Sequence, residues 1–266
     1  TAQAQIHELP RSTPEAEGVP SQAVIQLFDS LMALPRTDIH SVMVLRHGKV
    51  IAETYPAPFA PEYRHTMYSC SKTFVGAAVG LAIEENRLRL TDRVAAFFPD
   101  LLPDTVSAHL ADMTVRDLLT MTSGITPDWN MRNICSDWIR TYLAKPVKTP
   151  GKQFAYDSMS TYLLSAIVQK VTGTTLLDYL NRKLFIPMNI TDVAWEVSPE
   201  GINTGGWGLH IQSESLAKFG LLLLNKGKWQ GKQLLPARWV EQMTAKQMET
   251  GGDEYGYQMW RCEYPD

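Results

Sequence analysis

Ser69 and Lys72 have the residue types and the spacing of a nucleophile and its base. They lie in the segment MYSCSKTF, three positions apart. On a helix, residues i and i+3 share one face, with roughly 5–6 Å between their Cβ atoms, so the hydroxyl and the amine would meet. A lysine whose pKa falls from its ordinary value of about 10.4 through burial can accept the serine proton. This pair therefore predicts acyl transfer through an activated serine.

The surroundings of Lys72 strengthen that hypothesis. Between Arg64 and Glu84 it is the only Lys, Arg, Asp or Glu, and the ten residues 74–83 that follow Thr73 are apolar or glycine. A helix that is apolar all round is normally buried, so a charge within it needs a reason. Ser69 at the N-terminal end of this predicted helix would also meet unpaired N–H groups, which favour developing negative charge.

A second serine–lysine pair with the same spacing, Ser215 and Lys218, requires a choice. It lies beside Glu214 on a predicted amphipathic helix, where a lysine needs no special explanation, so we assign the chemistry to Ser69 and Lys72. Cys70, next to Ser69, is expected to pack rather than to react.

Composition excludes several classes of function. The formal net charge of −3 gives no basic face, so no nucleic-acid partner is expected. The longest apolar run, ten residues, is too short for a membrane span. Three cysteines without a CxxC pair and six histidines without HxH or HxxxH spacing predict neither a metal site nor a cofactor. The first residues, TAQAQ, fit a processed periplasmic or secreted protein, or simply an arbitrary start.

The elements that would position the pair come from both ends of the chain. Residues 41–55 read as a β-hairpin around His47-Gly48, and YGYQMW (255–260) reads as an aromatic strand. Between them, approximately residues 88–190 read as mainly helical. We therefore predict an α+β fold, an antiparallel sheet built from N- and C-terminal strands with a helical region inserted.

Within that helical region, three signals are specific. The stretch Thr114-Val-Arg-Asp117 suits a capping box, and Gly124 is expected to end that helix. Residues 160–171 read as another helix, closed by Gly173. Beyond that region, Gly205-Gly206-Trp207-Gly208 reads as a loop that needs backbone freedom or close approach.

Four segments carry a resemblance to a known family. MYSCSKTFVGAAVGLAIEENRLRLTDRVAAFFP, MTVRDLLTMTSGI, FAYDSMSTYLLSAIVQKVTG and GGWGLHIQSESLAKFGLLLLNKGKWQGKQLL occur in this order. Together they resemble the serine beta-lactamase-like family of class C beta-lactamases, DD-peptidases, esterases and 6-aminohexanoate-dimer hydrolases. The resemblance extends from about Leu9 to Trp260 and implies a single beta-lactamase/transpeptidase-like domain over residues 1–266.

The resemblance implies roles for particular residues. Ser69 corresponds to the acylated nucleophile, Lys72 to its general base, and Tyr156 to the motif tyrosine that passes a proton to the leaving group. Ser158 stands where beta-lactamases usually have asparagine, which favours an ester or linear amide over a beta-lactam as substrate. Tyr179-Leu-Asn181 also fits the tyrosine motif but lies in a helical stretch, so we interpret it as structural.

Three softer assignments follow for the substrate cleft. Trp129 and Asn130 occupy a loop that borders the cleft in the family, and Trp207 in the glycine-rich loop is expected to line it. His65 and Asp157 are expected to be local hydrogen-bond partners.

The family's third motif, on a strand after YGYQMW, has no counterpart before Asp266. We therefore expect the domain to be incomplete at its C-terminus, with the remaining strands supplied by further residues or by a second chain. The main hypothesis is a serine hydrolase acting through an acyl-enzyme on a small ester, amide or peptide-like substrate. The alternative is a non-catalytic binding protein that keeps this fold. A metal hydrolase is disfavoured because the sequence lacks metal-ligand spacing.

Overall fold

The structure of the protein is a computed structural model, and it describes residues 9–262. The N-terminal TAQAQ stretch and Asp266, which entered the expectations above, lie outside the described residues. Within residues 9–262 the α-helices are α1 (Ser21–Met32), α2 (Ser71–Glu84), α3 (Val94–Phe97), α4 (Ala108–Asp112), α5 (Val115–Leu119), α6 (Met131–Ile134), α7 (Trp138–Leu143), α8 (Ser158–Thr172), α9 (Leu176–Leu180), α10 (Ser213–Leu224) and α11 (Ala237–Thr244).

The strands of the same residues are short. They are β1 (Val42–Arg46), β2 (Lys49–Thr54), β3 (Arg64–Thr66), β4 (Ala194–Trp195), β5 (Leu209–Gln212), β6 (Lys228–Trp229), β7 (Lys232–Gln233), β8 (Met248–Glu249), β9 (Glu254–Tyr255) and β10 (Trp260–Arg261). They pair antiparallel as β1-β2, β3-β5-β4, β6-β7 and β10-β9-β8. The predicted α+β class is confirmed. No helix among residues 9–262 is long and apolar enough to cross a bilayer.

The predicted N-terminal hairpin is confirmed, and the geometry of its turn explains the glycine at position 48. β1 pairs with β2, and the two residues between them, His47 and Gly48, have φ angles of 50° and 76°. Two consecutive left-handed residues match the right-handed twist of the flanking strands, and glycine adopts this conformation without steric cost.

Helix α2 is the centre of the core, as its composition predicts. Phe74 and Val79 are fully buried, and the Phe74 ring stacks on Phe219 of α10 with 3.8 Å between centroids. Gly80 faces α11, where the Trp239 indole lies against it and donates a hydrogen bond to the Gly76 carbonyl. The two glycines let α11 approach the α2 backbone.

Two of the three helix signals are confirmed and one is wrong. The capping box joins Thr114 and Asp117 at the start of α5, and Gly173 closes α8 with a φ of 71°. Gly124, however, does not end α5. That helix stops at Leu119, and Met121, at a φ of 59°, already turns the chain out of the helix.

The aromatic strand predicted for YGYQMW is instead a tight hairpin turn. Tyr255 of β9 pairs with Trp260 of β10, and Gln258 between them has a φ of 62°. The backbone N–H groups of Tyr257 and Gln258 donate to the Met243 and Leu119 carbonyls. The turn between these strands therefore bonds to α11 and α5. Among the described residues the strands do not join the β1-β2 hairpin into the single sheet that we expected.

The small β3-β5-β4 sheet positions the segment around Ser69. His65 of β3 pairs with Ile211 of β5, and the Met67 N–H donates to the Leu209 carbonyl just beyond the paired residues. The Ser71 hydroxyl accepts from the Leu209 N–H at 3.2 Å. The start of α2 is thus tied to the strand that follows the glycine-rich loop.

We predict that Gly80→Ala lowers the free energy of unfolding by roughly 1–3 kcal/mol in urea denaturation. A Cβ at Gly80 would overlap the Trp239 ring, and overpacking of a core carries a cost of this size. The predicted loss is the net effect, after the gain of roughly 1 kcal/mol in helix propensity has been subtracted. Gly220→Ala on α10 is the matched control, because a Cβ there meets nothing within 4 Å and should leave stability unchanged or slightly higher. Equal effects of the two substitutions would contradict the packing interpretation.

Candidate active site

The Lys72 ammonium lies at the meeting point of three segments. Its Nζ donates to Ser69 Oγ at 3.1 Å, to Ser158 Oγ at 2.9 Å and to the Gly206 carbonyl at 2.6 Å. The Lys72 side chain is buried, with 1% of the residue exposed. Three N–H donors meet three oxygen acceptors, so the buried charge is fully hydrogen-bonded.

Ser69 lies in a 3-10 turn, Tyr68–Cys70, that leads directly into α2. Tyr68 has a φ of 43°, a left-handed conformation that is costly for a non-glycine residue. This turn leaves Ser69 exposed to solvent while Lys72, one turn later, is buried. The hydroxyl is therefore accessible to a substrate and the amine is shielded.

Gly206 reaches Lys72 because it has no side chain. A Cβ at this position would stand 2.6 Å from the Ser158 carbonyl oxygen at the start of α8. The neighbouring Gly205 has a φ of 67°, and the Gly206 N–H donates to the Thr204 carbonyl. The close approach expected of this loop is present, and it directs the Gly206 carbonyl at the ammonium.

Burial changes the protonation of the lysine. Loss of hydration lowers the pKa of Lys72 to about 8, although the Asp157 carboxylate opposes this shift. Near that pH the neutral amine is well populated. It would keep two donors for Gly206 and Ser158 and offer its lone pair to the Ser69 hydroxyl. The geometry can therefore hold either protonation state without rearrangement.

Asp157 fixes the end of α8 that carries Ser158. Its carboxylate caps the helix by accepting from the Met159 N–H at 2.9 Å, and it accepts from the Tyr142 hydroxyl at 2.8 Å. Burial raises the pKa values of both Asp157 and Tyr142. Asp157 is thus a local hydrogen-bond partner, as its position in the sequence indicated.

Tyr156 lies beside the lysine within an aromatic cluster. Its ring centroid is 4.8 Å from Lys72 Nζ, and it contacts the rings of Trp260 and Tyr255 at centroid distances of 5.4 and 6.2 Å. Phe154 extends the cluster by packing against Trp260. Sequence reasoning placed Tyr156 here through the family motif but missed Trp260 and Phe154, which the hairpin turn brings alongside.

The residues predicted to line the cleft are only partly brought together. The rings of Trp129 and Trp207 meet edge to face with 4.8 Å between centroids, and Trp207 directly follows Gly206. Asn130 begins α6 with its side chain exposed, and its N–H donates to Asp128 Oδ1. The two tryptophans thus connect with the Lys72 environment, whereas within residues 9–262 no contact joins the Asn130 side chain to it.

Other sequence assignments have different outcomes. Cys70 was expected to pack, but it is exposed because it lies on the outer side of the turn that presents Ser69. His65 Nδ1 is 3.0 Å from His40 Nδ1, a local hydrogen bond. Tyr179 is buried and donates to Glu85, in keeping with a structural role. Lys218 is buried rather than surface-exposed, and its ammonium donates to the Met188 and Asn189 carbonyls.

Two further features of the site escaped sequence reasoning. The first is the Gly206 carbonyl, which accepts a hydrogen bond from Lys72. The only indication of it in the sequence was the glycine-rich composition of its loop. Arg132, whose guanidinium carbon lies 4.0 Å from the Trp129 ring centroid, had only its helical i+3 spacing from that tryptophan.

Comparisons with known proteins concern the family and the fold. The family model described as Beta-lactamase matches residues 24–263. The 6-aminohexanoate-dimer hydrolase of Paenarthrobacter ureafaciens is 27% identical over 238 residues, which are 83% of this chain and 60% of that protein. The chain therefore spans about three fifths of the length of this relative.

Two solved structures share the fold. A Bacillus anthracis protein provisionally described as a 6-aminohexanoate-dimer hydrolase superimposes with a TM-score of 0.75 at 21% identity, covering 89% of this chain and 67% of that one. The octameric penicillin-binding protein homologue of Pyrococcus abyssi gives a TM-score of 0.70 at 19% identity, covering 90% and 64%. At these identities the likeness concerns the fold.

We predict that Ser69 reacts faster as pH rises through about 8, because the neutral Lys72 amine is the form that accepts a proton. The measurement is the rate of labelling by a fluorophosphonate between pH 6 and pH 10. Asp157→Asn should move the midpoint to lower pH, since the carboxylate that favours the ammonium is removed. Asp178→Asn, which neutralises an exposed carboxylate on α9, should not move it. A flat profile, or identical midpoints in all three proteins, would refute this assignment of the base.

Proposed function

The chain belongs to the beta-lactamase family, and on that premise we propose that it is a serine hydrolase which cleaves a small ester or linear amide through an acyl-enzyme. One observation carries the proposal: a buried lysine amine stands 3.1 Å from an exposed serine hydroxyl. This is the arrangement of an activated nucleophile with its base.

The first step would transfer the Ser69 proton to the Lys72 amine as Ser69 Oγ bonds to the substrate carbonyl carbon. The carbonyl oxygen becomes an oxyanion, for which the N-terminal end of α2 and the N–H of Ser69 supply favourable partial charge. Ser158 and Gly206 hold the new ammonium in place. The positive charge that forms on Lys72 is thus hydrogen-bonded as soon as it appears.

The second step would expel the leaving group. The carbonyl re-forms, the bond from its carbon to the alcohol or amine breaks, and the leaving atom takes up a proton delivered from Lys72 through the Tyr156 phenol. Water then attacks the acyl-serine by the same route in reverse, releasing the acid and restoring the Ser69 hydroxyl. No step requires a metal ion or an organic cofactor.

Two observations support an ester or linear amide as the substrate. Ser158 provides a hydroxyl acceptor for Lys72 where beta-lactamases usually have an asparagine amide. A hydroxyl has no NH2 group to donate to a beta-lactam side-chain carbonyl. The relative from Paenarthrobacter ureafaciens is a hydrolase of 6-aminohexanoate dimer, a linear amide by its name.

We predict that the protein hydrolyses 4-nitrophenyl butyrate and that Ser69→Ala and Lys72→Ala each lower kcat by at least about 10³-fold. Groups that act as one unit are strongly non-additive, so the double variant should be no slower than either single one. Release of 4-nitrophenol measures the rate, and mass spectrometry should show a butyryl adduct on Ser69 in quenched samples.

The controls are the two single variants Ser215→Ala and Lys218→Ala, which alter the second pair with the same spacing. Each should retain the activity per folded molecule of the unaltered protein, because this pair lies outside the Lys72 environment. Saturable binding of the ester without release of 4-nitrophenol would instead favour a non-catalytic binding protein. Equal loss of activity in both sets of variants would reject the assignment of the nucleophile.

A further inference from the structure

Arg132 on α6 has no anionic partner within the part of the chain that the structure describes. Its guanidinium lies over the Trp129 ring, with the guanidinium carbon 4.0 Å from the centroid. The Nε atom is buried and has no hydrogen-bond partner among the described residues. Among residues 9–262 no carboxylate forms an ion pair with this arginine. Buried polar atoms are nearly always hydrogen-bonded, so an exception calls for a partner that the chain itself does not supply.

Two acidic residues of the segments around the site are already paired with other residues. Asp128, four residues before Arg132, is paired with Lys145 at 2.7 Å and accepts from the Asn130 N–H. Asp157 is held by Tyr142. The positive charge of Arg132 is therefore not neutralised by these neighbours.

The guanidinium is connected to the nucleophile by a short series of contacts. The Trp129 ring beneath it meets the Trp207 ring at 4.8 Å, and Trp207 directly follows Gly206, whose carbonyl binds Lys72. These contacts therefore run from Lys72 through the two tryptophans to Arg132.

The segment that carries Arg132 is fixed from both ends. The Cys135 thiol donates to the Met131 carbonyl, and the Trp138 indole N–H donates to the Cys135 carbonyl. The Lys145–Asp128 pair holds the preceding loop. The cation is thus presented at a defined position, which favours selective recognition because little ordering is needed on binding.

We propose that Arg132 binds a carboxylate of the substrate, so that the enzyme prefers esters or amides that carry a free carboxylate over neutral isosteres. This inference rests on the proposed hydrolase function. The planar guanidinium can donate two parallel hydrogen bonds to a carboxylate, and its face remains stacked on Trp129. The apolar part of such a substrate would lie against the tryptophan pair while its reactive carbonyl lies at Ser69.

The test compares matched substrates in two series. In the first, the acyl group carries the charge: the 4-nitrophenyl monoester of glutaric acid against that of glutaramic acid. In the second, the leaving group carries it: the butyrate ester of 4-hydroxybenzoic acid against that of 4-hydroxybenzamide. We expect the anionic member to have the higher kcat/KM in at least one series.

Variants of Arg132 distinguish binding of the substrate carboxylate from a purely structural role in packing against Trp129. Arg132→Gln should lower the anionic-to-neutral ratio of kcat/KM by about 10- to 100-fold, the usual range for a hydrogen bond to a charged group. Arg132→Lys should lower it less, since one charge remains without the planar fork. Arg140→Gln, which removes an exposed arginine on α7, should leave the ratio unchanged. The ratio should also fall with added salt.

A second readout keeps this test separate from the test of hydrolysis. Calorimetry with Ser69→Ala measures binding of the same esters when none is cleaved, and Ser69→Ala with Arg132→Gln is its partner. Tighter binding of the anionic ester that depends on Arg132 supports the inference even if the protein has no hydrolytic activity. If Arg132→Gln weakens anionic and neutral substrates equally, or if neither readout distinguishes them, the inference is overturned.

Discussion

The burial of one ammonium group is the constraint on which the rest of this site depends. An ionised lysine removed from water costs several kcal/mol unless its donors are satisfied. Lys72 meets this requirement with oxygens from the turn before α2, from the start of α8 and from the glycine-rich loop before β5. These three segments must converge for the charge to be tolerated. The same convergence leaves an exposed hydroxyl next to an amine of lowered pKa, which is the basis of the proposed chemistry.

The sequence predicted the structure best where contacts are between residues close in the chain, or where a run of apolar residues determines burial. Ser69 and Lys72 are three residues apart, so helical geometry alone brings them together. Three other features are likewise determined by residues close in sequence: the apolar run after Lys72, the turn at His47-Gly48 and the capping box at Thr114. The Gly206 carbonyl is 134 residues from Lys72, and no periodicity indicates which carbonyl would meet the ammonium. Tyr156 and Ser158 are also distant from Lys72 in sequence, so only the resemblance to a family could assign them to the site.

The error at YGYQMW shows how tertiary contacts override strand propensity. Its aromatic composition is typical of a strand, yet Gln258 is almost fully buried and its amide donates to the Leu118 and Leu119 carbonyls and accepts from Thr161. These bonds, together with the absent side chain at Gly256, which leaves room for the Met243 carbonyl, stabilise a turn instead. The consequence reaches the site, because the turn places Trp260 against Tyr156. Propensity describes the segment alone, whereas the helices around it decide its conformation.

A substrate carboxylate could be bound near the Lys72 base without raising its pKa only because the carboxylate would be paired with the Arg132 guanidinium. A lone carboxylate near Lys72 favours the ammonium and raises its pKa, as Asp157 already does. A substrate carboxylate bound to the guanidinium presents a nearly neutral pair, whose effect on the amine falls off much faster with distance. The aromatic rings between Arg132 and Gly206 add separation without adding charge. Placing the cation beyond the tryptophans would therefore allow charge to select the substrate while burial and Asp157 continue to set the pKa of the Lys72 base.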